Sequence, residues 1–514
     1  MKYFNTVGVT NPEKHYFLPH RLNWHQLEEF IEKEYYFILH APRQSGKTTA
    51  IKEFVDHLNK EGNYSALHMS TEVAHAVVED VPRAIDLLVR RLKTVIENYL
   101  PDQQSLINFI DQELKSSDKE FSFYSIMRFW ARESKKPIVL FLDEFDGLVG
   151  SSLISLLKQF RDGYQDRPHN FPQTICLIGV RDLRDYRIKT KTQEELGVLY
   201  SPFNIKAESL ILPNFSQEDV RTLYLQHTQE TRQQFTEEAI EYAYYLTQGQ
   251  PWLVNALAYQ ACFRDVQDRS ITITKEIIDR AKEELILRRD THLDALVDRL
   301  KEQRVYNIID MVISGGMAHL QYSDDDLQYV RDLGLVTRKG IAIANPIYQE
   351  ILPRALVYSA QEGLPFNSID YIDSKKNLIV GKLLQKFQQF YRENSEIWLQ
   401  GSAYKECGPH LIMMAFLQRI INGGGTLHRE YGLGRGRVDL LIHWKQQRIV
   451  IELKIKRGEK TVIEGLEQTT EYMDTAHATE GHLVVFDPSK KSWDEKIYRE
   501  QRQQAGKTIE VWGC

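Results

Sequence analysis

Cysteine is nearly missing from this sequence: Cys176, Cys262, Cys407 and Cys514 stand far apart, and no two form a CxxC pair. That spacing excludes a disulfide framework and a cysteine-built zinc site, leaving incidental or buried thiols. Long apolar runs are missing too. The longest, such as Ile138 to Leu142 and Leu411 to Leu417, fall far short of the roughly 18 to 20 residues that cross a bilayer. The opening MKYFNTVGVTNPEKHYFLPHR puts charges and a proline where an export signal needs an unbroken apolar core, so a cytoplasmic protein without membrane contact is expected. There is no excess of positive charge either. A net charge of -6 excludes a globally basic nucleic-acid binder, and any phosphate contact must come from local basic clusters or bound metal ions.

What is there reads as a soluble multidomain chain. With 514 residues, 42% apolar and 26% charged, it is too long for one core and ordinary in composition, so three or four packed units are expected. No internal repeat or low-complexity tract is found. Residues 1–213 alternate short β-branched runs with helical stretches, the pattern of a parallel sheet wrapped by helices. The strands fall at Tyr36 to His40, Tyr64 to Met69, Ile138 to Leu142, Ile175 to Val180 and Ser209 to Leu212. Residues 214–290 turn helical, with apolar spacing of three and four, and suit a helical lid. Residues 291–358 give helix, helix and a hairpin at VTRKGIAIANP, the order of a winged helix. A polar stretch, YSAQEGLPFNSIDYIDSKK, opens a linker region and helix over 359–398. Residues 399–514 form a last α/β unit of helix, three strands, helix and strand.

The segment YYFILHAPRQSGKTTAIKEF is an apolar strand, a small-residue loop and a helix opening at Gly46, Lys47 and Thr48, a Walker A arrangement. Ala41, Pro42, Arg43, Gln44, Ser45, Gly46, Lys47, Thr48 and Thr49 are the nucleotide-binding candidates. Backbone N–H groups at a helix start cradle phosphates, the Lys47 ammonium neutralises the β/γ charge, and the Thr48 hydroxyl ligates magnesium. Ala41 replaces the usual first glycine, so the turn there must accept a Cβ. A second GKT, at Gly506 to Thr508, opens a strand instead and serves as a decoy. Downstream, KKPIVLFLDEFDGL is a buried strand ending in Asp143 and Glu144, an acidic pair that is costly at a sheet edge unless used. Asp143 is assigned to the metal and Glu144 to polarising the attacking water.

HAPRQSGKT, LDEFD, IGVRDLRDYR and TQGQPWLVNALA together resemble the AAA-like ATPases of the AAA+ and STAND group, over about residues 1 to 355. The resemblance implies ATP and Mg2+ as cofactors and places Arg181 at the sensor position near the γ-phosphate. It also matches Gly249 and Pro251 to a Gly-x-Pro turn by which the lid approaches the nucleotide, although a plain helix-to-helix turn explains these two equally well. Arg184, Arg187 and Lys189 are candidates for an arginine finger or a nucleic-acid contact, against a solvated loop.

A second constellation lies in GLGRGRVDLLIHWKQQRIVIELKIKRGEK, two strands joined at KQQ. Asp439 sits early in the first, while Glu452 and Lys454 share one face of the second. Asp439 and Glu452 suit a magnesium site that activates water for phosphodiester cleavage, with Lys454 stabilising the developing charge. Taken by themselves, Glu452, Lys454 and Lys456 fit better the solvent face of an amphipathic strand, as ordinary surface charges. The element order resembles the PD-(D/E)XK nuclease superfamily, with Gly434, Gly436, Arg437 and Asp439 as its GxGR-x-D element. Gln468 and Tyr472 match its QxxxY helix, and Mn2+ is implied as a substitute for Mg2+. Either Glu406 or Glu430 supplies a further acid.

The expectation is therefore an α/β protein: a P-loop parallel sheet with helical lid and winged helix, then a restriction-endonuclease-like domain. Its expected partner is nucleic acid, DNA first, with a homo-oligomer as a further state and defence against foreign DNA as a fitting role. The alternatives are an ATP-dependent switch that only grips nucleic acid or a partner, and an assembling scaffold that does not cleave.

Overall fold

Short strands that are apolar on both faces decide the architecture around the first candidate site. The computed structural model describes residues 1–181, 206–288, 291–314, 323–356, 371–399, 413, 416–417, 425–433, 436–456, 458, 460–489 and 491–514. The chain forms two compact units, Met1–His292 with Ser323–Ile347, and Leu293–Tyr322 with Tyr348–Cys514.

In the first unit β1 (Tyr36–His40), β2 (Ser65–Ser70), β3 (Ile138–Asp143), β4 (Thr174–Gly179) and β5 (Lys206–Ile211) form one sheet in the order β2-β3-β4-β1-β5. Every pairing in it is parallel. Consecutive residues of a strand face opposite sides, so Tyr36 and Ile38 enter one core while Phe37 and Leu39 enter the other. The second of these cores is closed by α1 (Trp24–Glu32) and α2 (Lys47–Glu61), through Leu27, Ile31, Ile51, Phe54 and Leu58. The first is closed by α3 (Val81–Tyr99), α4 (Gln104–Glu113), α5 (Ser122–Glu133) and α6 (Gly150–Gly163), with Leu88, Leu92, Trp130 and Phe160 fully buried. A sheet covered on both faces explains why β1, β3 and β4 read as unbroken apolar runs.

The helical region begins with α7 (Gln217–Thr231), which starts on a reciprocal capping box between Ser216 and Asp219. It continues through α8 (Glu237–Thr247), α9 (Pro251–Tyr259) and α10 (Lys275–Arg288). Gln250 caps α9 through the Leu253 N–H, and Pro251 takes the first helical position, where its missing N–H is not needed. The N-terminal segment folds onto these helices: Tyr16 Oη lies 3.0 Å from His227 Nδ1, and the Trp252 indole donates to the Thr6 carbonyl at 2.9 Å.

Further on come α11 (Thr291–Arg299), α12 (Gln303–Ser314), α13 (Asp324–Asp332) and α14 (Pro346–Leu356). The hairpin expected at VTRKGIAIANP is reduced to one antiparallel bridge, Val336 with Ile343. Its flanking bonds are Thr337 N–H to Ala342 and Ala344 N–H to Leu335. Two bonded pairs around Gly340 are too few for a ladder.

The second unit holds a mixed sheet of β6 (Gly425–Leu433), β7 (Gly436–Trp444), β8 (Gln447–Ile455), β9 (Glu480–Phe486), β10 (Tyr498–Gln504) and β11 (Lys507–Gly513). Its order is β10-β11-β9-β8-β7-β6. The meander β6-β7-β8 is antiparallel, whereas β9 pairs with β8 in parallel, as the crossover helix α16 (Lys460–Thr475) requires. Helix α15 (Val380–Leu399) is tied to the far strands by the Gln388 amide, which donates to the Tyr498 and Gly513 carbonyls. The short helix α17 (Trp493–Lys496) leads into the β10-β11 hairpin, which the expected order did not include. Gly506 and Thr508 stand at its turn and on β11, so the decoy GKT opens a strand. Of the helix expected at Pro409 to Ile421, Met413, Phe416 and Leu417 are helical, and the rest lies outside the described residues. Among the described residues no helix is long and apolar enough to cross a membrane.

Candidate functional site

The loop after β1 turns through two left-handed residues, Gln44 at φ +56° and Gly46 at φ +85°. Left-handed residues alternating with a residue of negative φ, here Ser45, aim successive backbone N–H groups into one concavity, which suits an anion. Ala41 is fully buried and is not among the positive-φ residues, so the Cβ at the usual glycine position fits without strain. Pro42 packs against Gly334, where an added Cβ would lie 2.7 Å from the ring, while Arg43 is exposed. Ser45 is buried, and Thr49 Oγ1 accepts the Thr10 N–H at 3.2 Å.

Lys47 begins α2 and folds its ammonium back on the loop, 2.7 Å from the Ala41 carbonyl and 2.9 Å from that of Pro42. Burial pushes the Lys47 ammonium down to about 8, against the pull of Asp143 and Asp146. Its hydrogen bonds go to neutral carbonyls, and triphosphate oxygens would offer the buried ammonium an anionic partner. Thr48 Oγ1 donates to Asp143 Oδ2 at 2.6 Å, and His68 Nε2 lies 3.2 Å from the same oxygen. Burial works to raise the Asp143 carboxyl, but the His68 and Thr48 hydrogen bonds and the Glu144 N–H prevail and hold it below the usual range. It is thereby kept an anionic oxygen donor, the type a hard divalent cation would take. Glu144 adopts φ +57°, strained for a non-glycine residue, and its Oε2 accepts from Ser70 Oγ at 2.5 Å. Thr48, His68, Ser70, Asp143 and Glu144 line one opening at the β2 edge of the sheet.

A second, half-open cleft lies on the other side of the loop. Gln44, Gly46, Thr49 and Ala50 face Pro251, Trp252 and Asn255 of the helical region across it, with Asn5 to Gly8 and Tyr16 to Leu18 as a further wall. Gly249 packs behind the cleft at φ +68°, and an added Cβ would come within 1.9 Å of the Phe215 carbonyl oxygen. Gly249→Ala is therefore expected to cost about 3 kcal/mol or more, from left-handed strain plus displaced backbone. Thermal unfolding of the variant against the parent measures this, and an unchanged Tm would show the turn to be adaptable.

Sequence reasoning missed Arg21. It donates to the Ser45 carbonyl at 2.5 Å and the Pro213 carbonyl at 2.6 Å, and lies 4.5 Å over the Phe215 ring. A cation preceding the loop by twenty-odd residues carries no local signal, although LPHR stood within the stretch that carried the resemblance. Arg181, just beyond β4, places its guanidinium carbon 4.8 Å from the Tyr329 ring of α13. Arg184, Arg187 and Lys189 lie outside the described residues.

In the second unit Asp439 on β7, and Glu452 and Lys454 on β8, come together. Leu440 pairs with Ile451, and one step further Asp439 Oδ2 accepts the Leu453 N–H at 2.9 Å. Lys454 Nζ reaches Glu452 Oε1 at 2.7 Å. Glu452 is 2% exposed and so is not an ordinary surface charge, whereas the Lys454 and Lys456 side chains on the same strand keep exposures of 25% and 34%. The second Glu452 oxygen has no hydrogen-bond partner among the described residues, a costly state for a buried carboxylate. Burial, then the Asp439 charge, raises the Glu452 carboxyl to about 7, with Lys454 opposing. Gln468, on α16, likewise has a buried unpartnered Oε1, and Tyr472 is buried one turn on. Gly436 and Arg437 fall on β7 and Glu430 on β6, whereas Glu406 and Gly434 lie outside the described residues.

Three solved structures are among those similar to this chain. A Walker-type ATPase of Pyrococcus abyssi is 16% identical, covering 68% of this chain and 99% of its own, with a TM-score of 0.47. The Holliday junction branch migration motor RuvB of Thermotoga maritima is 15% identical, covering 62% and 87%, with a TM-score of 0.33. Cdc6p of Pyrobaculum aerophilum is 9% identical, covering 81% and 98%, with a TM-score of 0.38. No curated protein matches the chain. Residues 379–490, which include Asp439, Glu452, Lys454 and Gln468, match a domain of unknown function. Residues 7–351, two thirds of the sequence and all of the phosphate loop, parallel sheet and helical region, match the AAA-like domain, and the chain belongs to that family.

Proposed function

We propose that the AAA-like part binds and hydrolyses ATP, that the C-terminal unit is a metal-dependent nuclease acting on DNA, and that nucleotide state controls cleavage. For the first activity the supporting observation is the contact of Thr48 with Asp143 beside Glu144, at the end of a buried parallel strand. Lys47 neutralises the β/γ-phosphates, Thr48 and Asp143 supply oxygen ligands, and Glu144 orients the attacking water. Magnesium held there supplies charge neutralisation on the phosphates. Arg181 as the sensor, and Gly249 with Pro251 as the nucleotide-facing turn, belong to the same reading.

For the second activity it is the buried, unpartnered Glu452 oxygen beside Asp439. Two carboxylates of this kind fit a divalent cation, Mg2+ or Mn2+, which supplies Lewis acidity when bound. Lys454 stabilises negative charge at the attacked phosphate, and Gln468 faces the same chemistry from α16. The division into ATPase core, lid, winged helix, linker and nuclease-like domain, the assembly into homo-oligomers and a role in defence against foreign DNA extend this proposal.

One experiment tests it. The full chain is incubated with plasmid, linear DNA and RNA, in the apo, ATP and ADP states, with magnesium or manganese. DNA cleavage whose rate changes with nucleotide is the expected result. Retention of nucleic acid without cleavage in any state would favour the binding switch, and ATP-dependent mass growth without either would favour the scaffold.

A further inference from the structure

A non-glycine residue held in the left-handed region costs free energy, and it stays there only where its surroundings impose it. Glu144 is such a residue, at φ +57° and ψ +28°. Its polar groups are tied down. The N–H donates to Asp143 Oδ1 at 2.8 Å, and the carboxylate accepts from Ser70 Oγ at 2.5 Å. The carbonyl lies 3.0 Å from the Gly147 N–H and 2.9 Å from His75 Nε2. A carbonyl has no proton to give, so this partner fixes the His75 tautomer: Nε2 carries the hydrogen and donates it.

Three of these partners follow from the chain path alone. Asp143 is the neighbouring residue, Gly147 closes the tight turn Phe145–Gly147, and Ser70 pairs with Asp143 across β2 and β3. His75 is brought from further off. Thr71, fully buried after β2, donates its N–H and its Oγ1 to the Asp143 carbonyl at 2.9 and 3.1 Å. The single turn Glu72–Ala74 then carries the chain round, anchored by the buried Ala74, and the His75 N–H closes it on the Glu72 carbonyl at 3.0 Å. The imidazole comes to rest against Gly147, where an added Cβ would overlap the ring. Gly147 is not among the positive-φ residues, so it is the ring and not the backbone that leaves no room for a side chain there.

We propose that His75 is a positioning residue for ATP hydrolysis. Its N–H fixes the Glu144 carbonyl, and with it the backbone angle that aims the Glu144 carboxylate into the opening shared with Thr48 and Asp143. This rests on the reading of Glu144 as the residue that orients the attacking water, and it adds a residue from outside the phosphate loop and the acidic strand end. Each peptide unit is rigid, so a released carbonyl relaxes by rotation about the Glu144 backbone bonds. That rotation swings the carboxylate off Ser70 and draws the N–H away from Asp143. The nucleotide still binds through Lys47, while the attacking water loses its partner.

The test uses the full chain with ATP and magnesium, reading affinity by calorimetry and turnover by phosphate release. His75→Ala should lower kcat by about tenfold to a hundredfold, the scale of a misplaced catalytic group, with ATP affinity within about twofold of the parent. His75→Gln, which keeps an N–H donor on a side chain of similar reach, should recover kcat to within about threefold. A double-mutant cycle identifies the route: His75→Ala added to Glu144→Gln should slow hydrolysis no further, because the group it positions is already disabled. Parental kcat in His75→Ala, or the same fold loss in the Glu144→Gln background as in the parent, would overturn the proposal. So would equal losses in His75→Ala and His75→Gln together with a lowered Tm, which would make the ring a packing element. A Glu144→Gln variant that hydrolyses ATP at the parental rate would overturn the reading of Glu144 itself, a result distinct from one in which Glu144→Gln is slow and His75→Ala is not.

Discussion

Lys47→Ala is expected to abolish nucleotide binding, with affinity for ATP falling about a hundredfold or more. Two charge-assisted contacts of roughly 1.5–3 kcal/mol each are lost with the ammonium. The side chain now spends its charge on the Ala41 and Pro42 carbonyls at 2.7 and 2.9 Å. Those partners are neutral and burial depresses its pKa to about 8, so a triphosphate is the better partner and gains what the carbonyls lose. The companion change, Glu144→Gln, should leave binding intact and slow hydrolysis by about 10² to 10⁴, the range for a positioned base. Glu144 contacts Ser70 Oγ and not the loop, so its amide should hold the same hydrogen bond. Calorimetry and phosphate release separate the two. ATP turnover at the parental rate in Lys47→Ala would mean that the loop does not bind phosphate.

The parts of this chain that could be read from sequence are those fixed by short-range chemistry. Strands β1, β3 and β4 announce themselves as apolar runs because both faces of their sheet are covered. β1 keeps its expected bounds, β2 and β4 shift by one residue (Ser65–Ser70 in place of Tyr64 to Met69, and Thr174–Gly179 in place of Ile175 to Val180), and β5 begins at Lys206, three residues before the expected Ser209. Periodicity sets the face but not the last hydrogen bond. The expected hairpin near Gly340 dwindles to one bridge because a turn signal does not count ladder bonds. Of the β10-β11 hairpin only the strand opened by the decoy GKT was legible; β10, YREQRQQ, escaped notice because it is an edge strand with polar residues on both faces. Arg21 escaped because its partners are backbone carbonyls far along the chain, at Ser45 and Pro213, and carbonyls are the same for every residue type. Burial of Glu452 was equally hidden. An E-x-K triplet on a strand reads the same whether its face meets solvent or a helix, and only the packing of α16 over β8 and β9 decides between them.

Asp439→Asn and Glu452→Gln are each expected to reduce nucleic-acid cleavage by about 10² or more, while the ATPase rate stays within about twofold of the parent. The reason lies in how the two carboxylates are held. Asp439 spends one oxygen on the Leu453 N–H, and Glu452 spends one on Lys454, so each has one oxygen left to offer a cation. Removing either charge halves the anionic ligand set, and hard divalent cations depend on that set. Loss of fold is a weak rival explanation for Glu452→Gln. Burial and the Asp439 charge raise the Glu452 carboxyl above the usual carboxylate range, so its surroundings already favour a less anionic group, which the amide resembles in size and shape. An unchanged Tm would support this. Lys454→Ala should behave differently: it takes away a cation and leaves both oxygen ligands, so metal affinity should hold or rise while the cleavage rate falls by about 10 to 10³. Manganese titration monitored by both cleavage and calorimetry distinguishes the two patterns. If Asp439→Asn cleaves at the parental rate, the nuclease reading of the hairpin fails, and the buried Glu452–Lys454 pair becomes a structural ion pair in a binding domain.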